Sequence, residues 1–406
     1  MEQNNFITQA VILAGGRGER MRPFTDTMPK PMVAIHDKPF LEHLLLLLKK
    51  NGIREVLVLS GYLAEKIEEY FGDGSKWGMR ISYSVLPLTD ENGVENESGT
   101  RIMHAKEKLH DEFLLMYCDN YWPLRLDRLY KFHKEQGRLA TVTVYANSHL
   151  ITKNNMRVED GIVRLYDPKR ITSDLTGVDI GFFVLKKEVL KYAPEGKFKF
   201  EREVLPRLIK DNELAGYLTE ARYYSIGSED RLPLTSEFLS DKKVILLDRD
   251  GVINKRPPKA EYVKKWSEFE FLPYTLAALK FLNDNGYKTY LISNQPGIAR
   301  GAMTQENLEE INRNLVSSVE NAGGRIEGIY QCLHNWDDGC RCRKPKPGML
   351  YDAAFDHNFD LSKAVFIGDD ERDAAAGEAA GVKTILMESD GNLLEVVKSL
   401  IKSTEV

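Results

Sequence analysis

The chain has 406 residues, too many for one ordinary core and enough for two or three domains that each bury the apolar surface needed to fold. Hydrophobic residues make up 42% and charged residues 29%, with a formal net charge of −5, so no excess of positive charge points to nucleic acid or to an anionic membrane as partner. No basic, apolar leader opens the chain and no apolar run, Leu44 to Leu48 included, approaches the length of a bilayer span, which predicts a cytoplasmic protein without a membrane partner.

Apolar runs of strand length alternate with segments of helical period, the pattern of parallel sheets covered by helices on both faces, so both halves are expected to be α/β. Strands are expected at Gln9 to Leu13, Glu55 to Ser60, Arg80 to Leu86, Phe113 to Tyr117 and Ala140 to Tyr145, with helices starting near Phe40, Leu63 and Leu126. The alternation then restarts. Strands Lys243 to Leu247, Lys288 to Ile292, Ala364 to Ile367 and Thr384 to Met387 are separated by helices near Thr275 to Asn285, Gln305 to Asn321 and Met349 to His357. No linker or repeat marks the join. The polar Asp-Lys-Lys before a new buried strand puts it at Ser240 and Asp241, giving domains 1–240 and 241–406.

The first strand, A-V-I-L, runs into A-G-G-R-G-E-R-M-R-P-F-T and then P-K-P. Gly15, Gly16 and Gly18 can offer backbone N–H groups to a triphosphate without side-chain interference. Met21 stands where a dinucleotide fingerprint wants a third glycine, and no Gly-Lys-Ser/Thr closes a P-loop. The remaining pattern, with Lys30 between two prolines, resembles the signature of the sugar nucleotidyltransferases over roughly the first 235 residues. The resemblance implies in-line attack of a sugar 1-phosphate on the α-phosphorus of a nucleoside triphosphate. It would have Arg20 hold the triphosphate, Lys30 bridge the phosphates, and Asp119 of Y-C-D-N bind Mg²⁺. Asp119 also suits an ordinary turn at a strand end. Weaker parallels are E-S-G-T at Glu97 to Thr100, which gives Gly99 to the base, D-P-K at Asp167 to Lys169, which gives Lys169 to the sugar phosphate, and Asp179 and Gly181 in a sugar-pocket strand. One departure is Ser225, which stands where that family commonly has a second metal-binding Asp. A hydroxyl is a poor ligand for a hard dication.

The strand V-I-L-L ends in D-R-D-G-V-I-N, which puts two carboxylates at i and i+2 on one side of a strand's C-terminal end. This resembles the first motif of the haloacid dehalogenase superfamily, and the other motifs follow in order across residues 243–390. The resemblance makes Asp248 the nucleophile and Asp250 the acid and base. It gives Ser293 and Asn294 to the phosphoryl group and Lys344 to charge neutralisation. Mg²⁺ would be held by Asp248, Asp369 and the backbone of Asp250.

Between these motifs lies C-L-H-N-W-D-D-G-C-R-C, where Cys332, His334, Cys340 and Cys342 form a Cys₃His set suited to a closed, structural Zn²⁺. Cys118 stands apart and is expected to be a small buried residue. With this loop and N-Q-P-G-I-A-R-G, the second half resembles the subgroup that contains heptose bisphosphate and histidinol-phosphate phosphatases. That puts Arg300 on the substrate side, chain proximity of the zinc loop puts Arg343 near the same pocket, and the short stretch between the first two motifs leaves room for only a minimal cap. Taken together, the resemblances imply two Rossmann-like domains, a GT-A-like nucleotidyltransferase and a haloacid dehalogenase-like phosphatase. They imply removal of the 7-phosphate of heptose 1,7-bisphosphate and transfer of GMP from GTP to heptose 1-phosphate, with sugar phosphates and a nucleoside triphosphate as partners. Another base, a mannose-like sugar, histidinol phosphate as phosphatase substrate, an inactive first half acting as scaffold, and a homodimer all remain open.

Overall fold

The computed structural model describes residues 6–259 and 261–404. It divides into two compact units, Met1–Ser236 and Glu237–Val406, and the division falls inside a helix.

In the first unit the strands are β1 (Gln9–Ala14), β2 (Ala34–Ile35), β3 (Lys38–Pro39), β4 (Glu55–Ser60), β5 (Arg80–Val85), β6 (Glu112–Tyr117), β7 (Asn120–Tyr121), β8 (Ala140–Tyr145), β9 (Met156–Glu159), β10 (Ile162–Tyr166), β11 (Val178–Lys186), β12 (Leu214–Thr219) and β13 (Tyr224–Ser225). The helices are α1 (Phe40–Lys50), α2 (Ala64–Phe71), α3 (Ser98–His104), α4 (Leu126–Gln136), α5 (Phe200–Lys210) and α6 (Leu232–Leu239), in which the division lies. Nine strands form one sheet in the order β5-β4-β1-β6-β11-β8-β12-β10-β9. β5, β4, β1 and β6 are parallel, but β11 runs antiparallel to both β6 and β8, so the sheet is mixed where the sequence pattern predicted parallel pairing. The reason is physical. A strand buried on both faces reads as a continuous apolar run in either direction, and β11 is buried over most of its length. Connections from β1 run to β4 and β5 on one side and to β6 on the other, so the chain reverses its order between β1 and β6. Ligands of open α/β sheets bind at the carboxyl ends of such strands.

The second unit has β14 (Val244–Leu247), β15 (Lys288–Asn294), β16 (Gly328–Cys332), β17 (Val365–Gly368) and β18 (Lys383–Leu386), with α7 (Thr275–Asp284), α8 (Gln305–Asn321), α9 (Gly348–His357), α10 (Glu371–Ala380) and α11 (Leu393–Thr404). Its sheet, β16-β15-β14-β17-β18, is parallel throughout. Period 2 splits β14 between two cores. Ile245 and Leu247 pack with Leu279 of α7, Leu315 of α8 and Val397 of α11, while Val244 and Leu246 pack with Leu350 of α9 and Ala376 of α10. Among the described residues, the segment between β14 and α7 carries a single short 3₁₀ turn at Trp266–Glu268 and no inserted domain. Here the order reverses between β14 and β17.

Candidate active sites

At the reversal in the first unit, β1 hands over to Gly15, Gly16, Arg17 and Gly18, and β6 to Cys118 and Asp119. Between them is a cavity of about 740 Å³ lined by Gly16, Gly18, Arg20, Lys30 and Asp119, beside a second of about 420 Å³ that Gly15 and Glu201 reach. A Cβ on Gly15 would stand 2.4 Å from Arg101 Nε. That guanidinium is buried and donates to the carbonyls of Ser60, Leu86 and Pro87, so the glycine loop rests on a cation wired to the ends of β4 and β5.

Lys30 Nζ donates to Asp119 Oδ2 at 2.5 Å, which brings two of the expected residues together across 89 positions of sequence. Ser225 pairs with Asn120 in the β7–β13 ladder, and the Ile226 N–H donates to the Asp119 carbonyl at 3.0 Å. The buried hydroxyl at Ser225 accepts from Arg231 Nη1 at 2.9 Å. A neutral, already bonded hydroxyl therefore stands beside Asp119, as the sequence departure at Ser225 implied.

Two expected residues, Gly99 and Lys169, lie away from these cavities. Gly99 is buried in α3, its N–H donates to the Phe198 carbonyl at 3.0 Å, and a Cβ there would run into the Phe198 ring, so its smallness serves packing. Lys169 sits in a turn that the Asp167 carboxylate closes on itself by accepting the N–H groups of Lys169, Arg170, Ile171 and Thr172. Neither Gly99 nor Lys169 lines the two cavities. Asp179 accepts the Gly181 N–H at 2.8 Å, and Gly181 has φ 79° with the Tyr117 ring where its Cβ would be. Burial pushes the Asp179 carboxyl up to about 7 against that hydrogen bond, and Glu201 adds to the rise.

Glu201 escaped the sequence reading. Its carboxylate accepts from the hydroxyls of Tyr117 and Ser98, and it lines both cavities. An acidic residue in the first turn of a helix reads as dipole compensation, which hides any second role.

In the second unit, Asp248, Asp250, Ser293, Asn294, Arg343, Lys344 and Asp373 line a cavity of about 650 Å³ at the carboxyl ends of the strands. Lys344 is 4% exposed, with Nζ 2.9 Å from Asp248 Oδ1, 2.6 Å from Asp373 Oδ1 and 2.9 Å from the Ile292 carbonyl. Burial would lower the Lys344 pKa, but the two carboxylates outweigh it. Burial also raises the Asp248 carboxyl further than Lys344 draws it down. Asp250 differs. Burial alone would raise it, yet Arg249, Asn254 and Gln295 all donate to its carboxylate and hold it below the usual range.

Asn294, expected at the phosphoryl group, commits its amide to the main chain of Lys344, donating to the carbonyl at 3.1 Å and accepting the N–H at 3.0 Å. Ser293 Oγ accepts from Gln295 Nε2 at 2.8 Å. Arg300 lies at the rim, its Nη1 donating to the Tyr262 hydroxyl at 2.8 Å.

Asp248, Asp369 and Asp373 each bring a carboxylate oxygen within 4.8 Å of the others. Asp369 Oδ1 is buried with no hydrogen-bond donor, although Arg256 Nη1 lies 2.9 Å from its other oxygen. An orphaned buried anion among acids fits a hard divalent cation. Gly251, at φ 94°, makes the cluster possible, because a Cβ there would stand 2.0 Å from Asp369 Oδ2. Asp373 was missed by the sequence reading, although its position four residues after Asp369 on a helix start was the available signal. Gln295 was missed too.

The four donor atoms of Cys332, His334, Cys340 and Cys342 also lie within 4.8 Å of one another. Cys332 Sγ is 3.7 Å from both Cys340 Sγ and His334 Nδ1, and His334 Nδ1 is 3.2 Å from Cys342 Sγ. A tetrahedron with bonds of about 2.3 Å has edges of about 3.8 Å, so the set fits Zn²⁺ with every position filled by protein.

Residues 9–242 match the nucleotidyl transferase family model, and residues 341–402 match the HAD-hydrolase-like model. A probable glucose-1-phosphate cytidylyltransferase of Bacillus subtilis is 35% identical over 227 residues, 52% of this chain and 87% of its own length. A D-glycero-beta-D-manno-heptose-1,7-bisphosphate 7-phosphatase of Neisseria meningitidis is 40% identical over 145 residues, 36% of this chain and 76% of its own. The crystal structure of a D,D-heptose 1.7-bisphosphate phosphatase from B. bronchiseptica, complexed with magnesium and phosphate, is 33% identical, covers 40% of this chain and 99% of that one, and has a TM-score of 0.38. Among the described residues no helix is long and apolar enough to cross a membrane.

Proposed function

We propose, for a chain that belongs to the nucleotidyl transferase family and carries a haloacid dehalogenase-like phosphatase domain behind it, two successive steps of nucleotide-sugar synthesis in the cytoplasm. The phosphatase removes the 7-phosphate of a heptose 1,7-bisphosphate. The transferase then joins the remaining heptose 1-phosphate to GMP from GTP and releases pyrophosphate, which supplies activated sugar for surface polysaccharide. The observation that carries this reading is chemical order within one chain. A phosphatase that spares the 1-phosphate makes the acceptor that a sugar-1-phosphate nucleotidyltransferase consumes.

In the phosphatase, an Asp248 oxygen forms a bond to phosphorus as the bond to the sugar oxygen breaks. Asp250 gives the leaving oxygen its proton and recovers one from the water that opens the aspartyl-phosphate. The ionised Asp250 that Arg249, Asn254 and Gln295 favour is the form needed for the water's turn. Lys344 neutralises nucleophile and phosphoryl charge, and Asn294 keeps it in place. Mg²⁺, held by Asp248, Asp369 and Asp373, would supply the charge that lets a carboxylate approach a phosphate. Zn²⁺ held by Cys332, His334, Cys340 and Cys342 would be structural, since protein ligands fill every position.

In the transferase, the N–H groups of the glycine loop and Arg20 receive the triphosphate, and Lys30 leaves Asp119 for the phosphates. Asp119 is then free for the cation that accompanies the nucleotide. One observation favours a second reading, a nucleotide-binding scaffold without turnover: Ser225 brings no charge beside Asp119.

The test is a panel. The chain, with Mg²⁺, is given heptose 1,7-bisphosphate or histidinol phosphate and each of GTP, CTP, UTP and ATP. Phosphate release from the heptose followed by pyrophosphate release with GTP is expected. Pyrophosphate with CTP alone reassigns the base, preference for histidinol phosphate removes the link between the steps, and no pyrophosphate from purified heptose 1-phosphate establishes the scaffold.

A further inference from the structure

The phosphatase cavity has a charged floor but an aromatic side wall, in which Tyr262, Trp336 and three prolines stand beside Asp248 and Lys344. Trp336 is 57% exposed, so more than half of its surface faces water beside the cavity. Its ring is nevertheless held. The Arg300 guanidinium lies 4.2 Å from the ring centroid, and Arg300 in turn donates to the Tyr262 hydroxyl. The turn that carries Trp336 is closed by the Asn335 N–H donating to Asp338 Oδ2 at 2.8 Å. Three loops therefore meet at the rim: the one after β14 brings Tyr262, the one after β15 brings Arg300, and the Cys₃His loop brings Trp336.

We propose that Trp336 is a specificity-determining residue of the phosphatase, its indole serving as the platform on which the carbon skeleton of a phosphorylated sugar rests while the phosphate to be cleaved lies at Asp248. The inference deepens the phosphatase reading above and rests on it. Every phosphomonoester presents the same group to Asp248, Ser293 and Lys344, so the floor cannot tell substrates apart. Discrimination has to come from the wall. The C–H face of a sugar ring is matched by a rigid aromatic plane that needs no polar partner and loses little entropy on contact. Arg300 covers part of the indole and fixes its plane, and the exposure of the rest leaves it open to a ligand.

Binding is measured by calorimetry in the full-length, zinc-loaded chain carrying Asp248→Asn so that substrate is not consumed. D-glycero-D-manno-heptose 1,7-bisphosphate and inorganic phosphate are the two probes. Adding Trp336→Ala is expected to weaken the bisphosphate at least about tenfold, with inorganic phosphate changed by less than about twofold, and Trp336→Phe recovers most of the loss. Equal bisphosphate affinity with and without the indole, or an equal loss for inorganic phosphate, overturns the proposal. Turnover by the unaltered chain is read separately. No phosphate from the bisphosphate overturns the substrate reading and the platform with it, whereas normal turnover with unchanged Trp336→Ala binding overturns the platform alone.

Discussion

Asp373 divides one carboxylate between two tasks. Oδ2 accepts the N–H groups of Asp369 and Asp370 at 3.2 Å each, while Oδ1 stands 2.6 Å from Lys344 Nζ. Asp373→Asn leaves Asp248 as the one carboxylate beside Lys344 and removes a carboxylate from the cation cluster. Phosphatase kcat/KM is expected to fall about 100-fold and the Mg²⁺ needed for half-maximal rate to rise about tenfold, read by phosphate release across a Mg²⁺ titration. Asp248 and Lys344 were legible in the sequence because each stands in a fixed string. Asp373, Gln295 and Glu201 were not, because their strings are those of a helix start and a turn, and only the fold says what faces them. His133 on α4 offers a test of stability. It is fully buried, bonds Thr141 Oγ1 at 2.8 Å, and burial lowers its pKa to about 4. The unfolded imidazole takes up a proton below about 6.5 and the folded one does not, so this group's contribution is present above that pH and lost as pH falls toward 4. The unfolding free energy from denaturant titrations should drop between pH 6.5 and 4 by up to about 3 kcal/mol of this origin, and His133→Gln should flatten that part of the profile.

At the scale of elements, α10 begins with Asp370 as N-cap, its carboxylate accepting the Arg372 N–H at 3.0 Å, and with Asp373 at the third position completing a capping box. A helix start is thereby also the wall of an active site. Gly15→Ala tests the other unit, since its Cβ has to displace the Arg101 guanidinium that carries the loop between β1 and the first 3₁₀ turn. A cost of about 1–3 kcal/mol is expected, seen as a lower Tm of the first unit and weaker nucleotide binding, with phosphate release unchanged. The helices α1, α2, α4, α7, α8 and α9 and the parallel strands other than β12 and β16 were readable from periodicity. β9, β10 and β12 were not, as a four-residue strand such as β9 shows too little of any period to be told from loop. The direction of β11 was unreadable because a strand buried on both faces shows the same apolar run either way.

For the whole molecule, the two units carry separate sites, each at its own sheet's reversal. An Asp248→Asn chain mixed with a Lys30→Ala chain should therefore convert the bisphosphate to nucleotide sugar although neither does so alone, measured by chromatography of the products; failure of the mixture would mean that the intermediate cannot be passed between molecules through solution. β16 is the outermost strand of the second sheet, and its last residue, Cys332, both partners Asn294 in the ladder and supplies a sulfur to the Cys₃His set. A metal ion there would act as a clasp on an open margin. Once it is withdrawn, the last rungs loosen and bare N–H and C=O groups become available to another chain. Metal starvation should accordingly first appear as turbidity, with light scattering rising on chelation before the phosphatase rate of the remaining soluble chain declines.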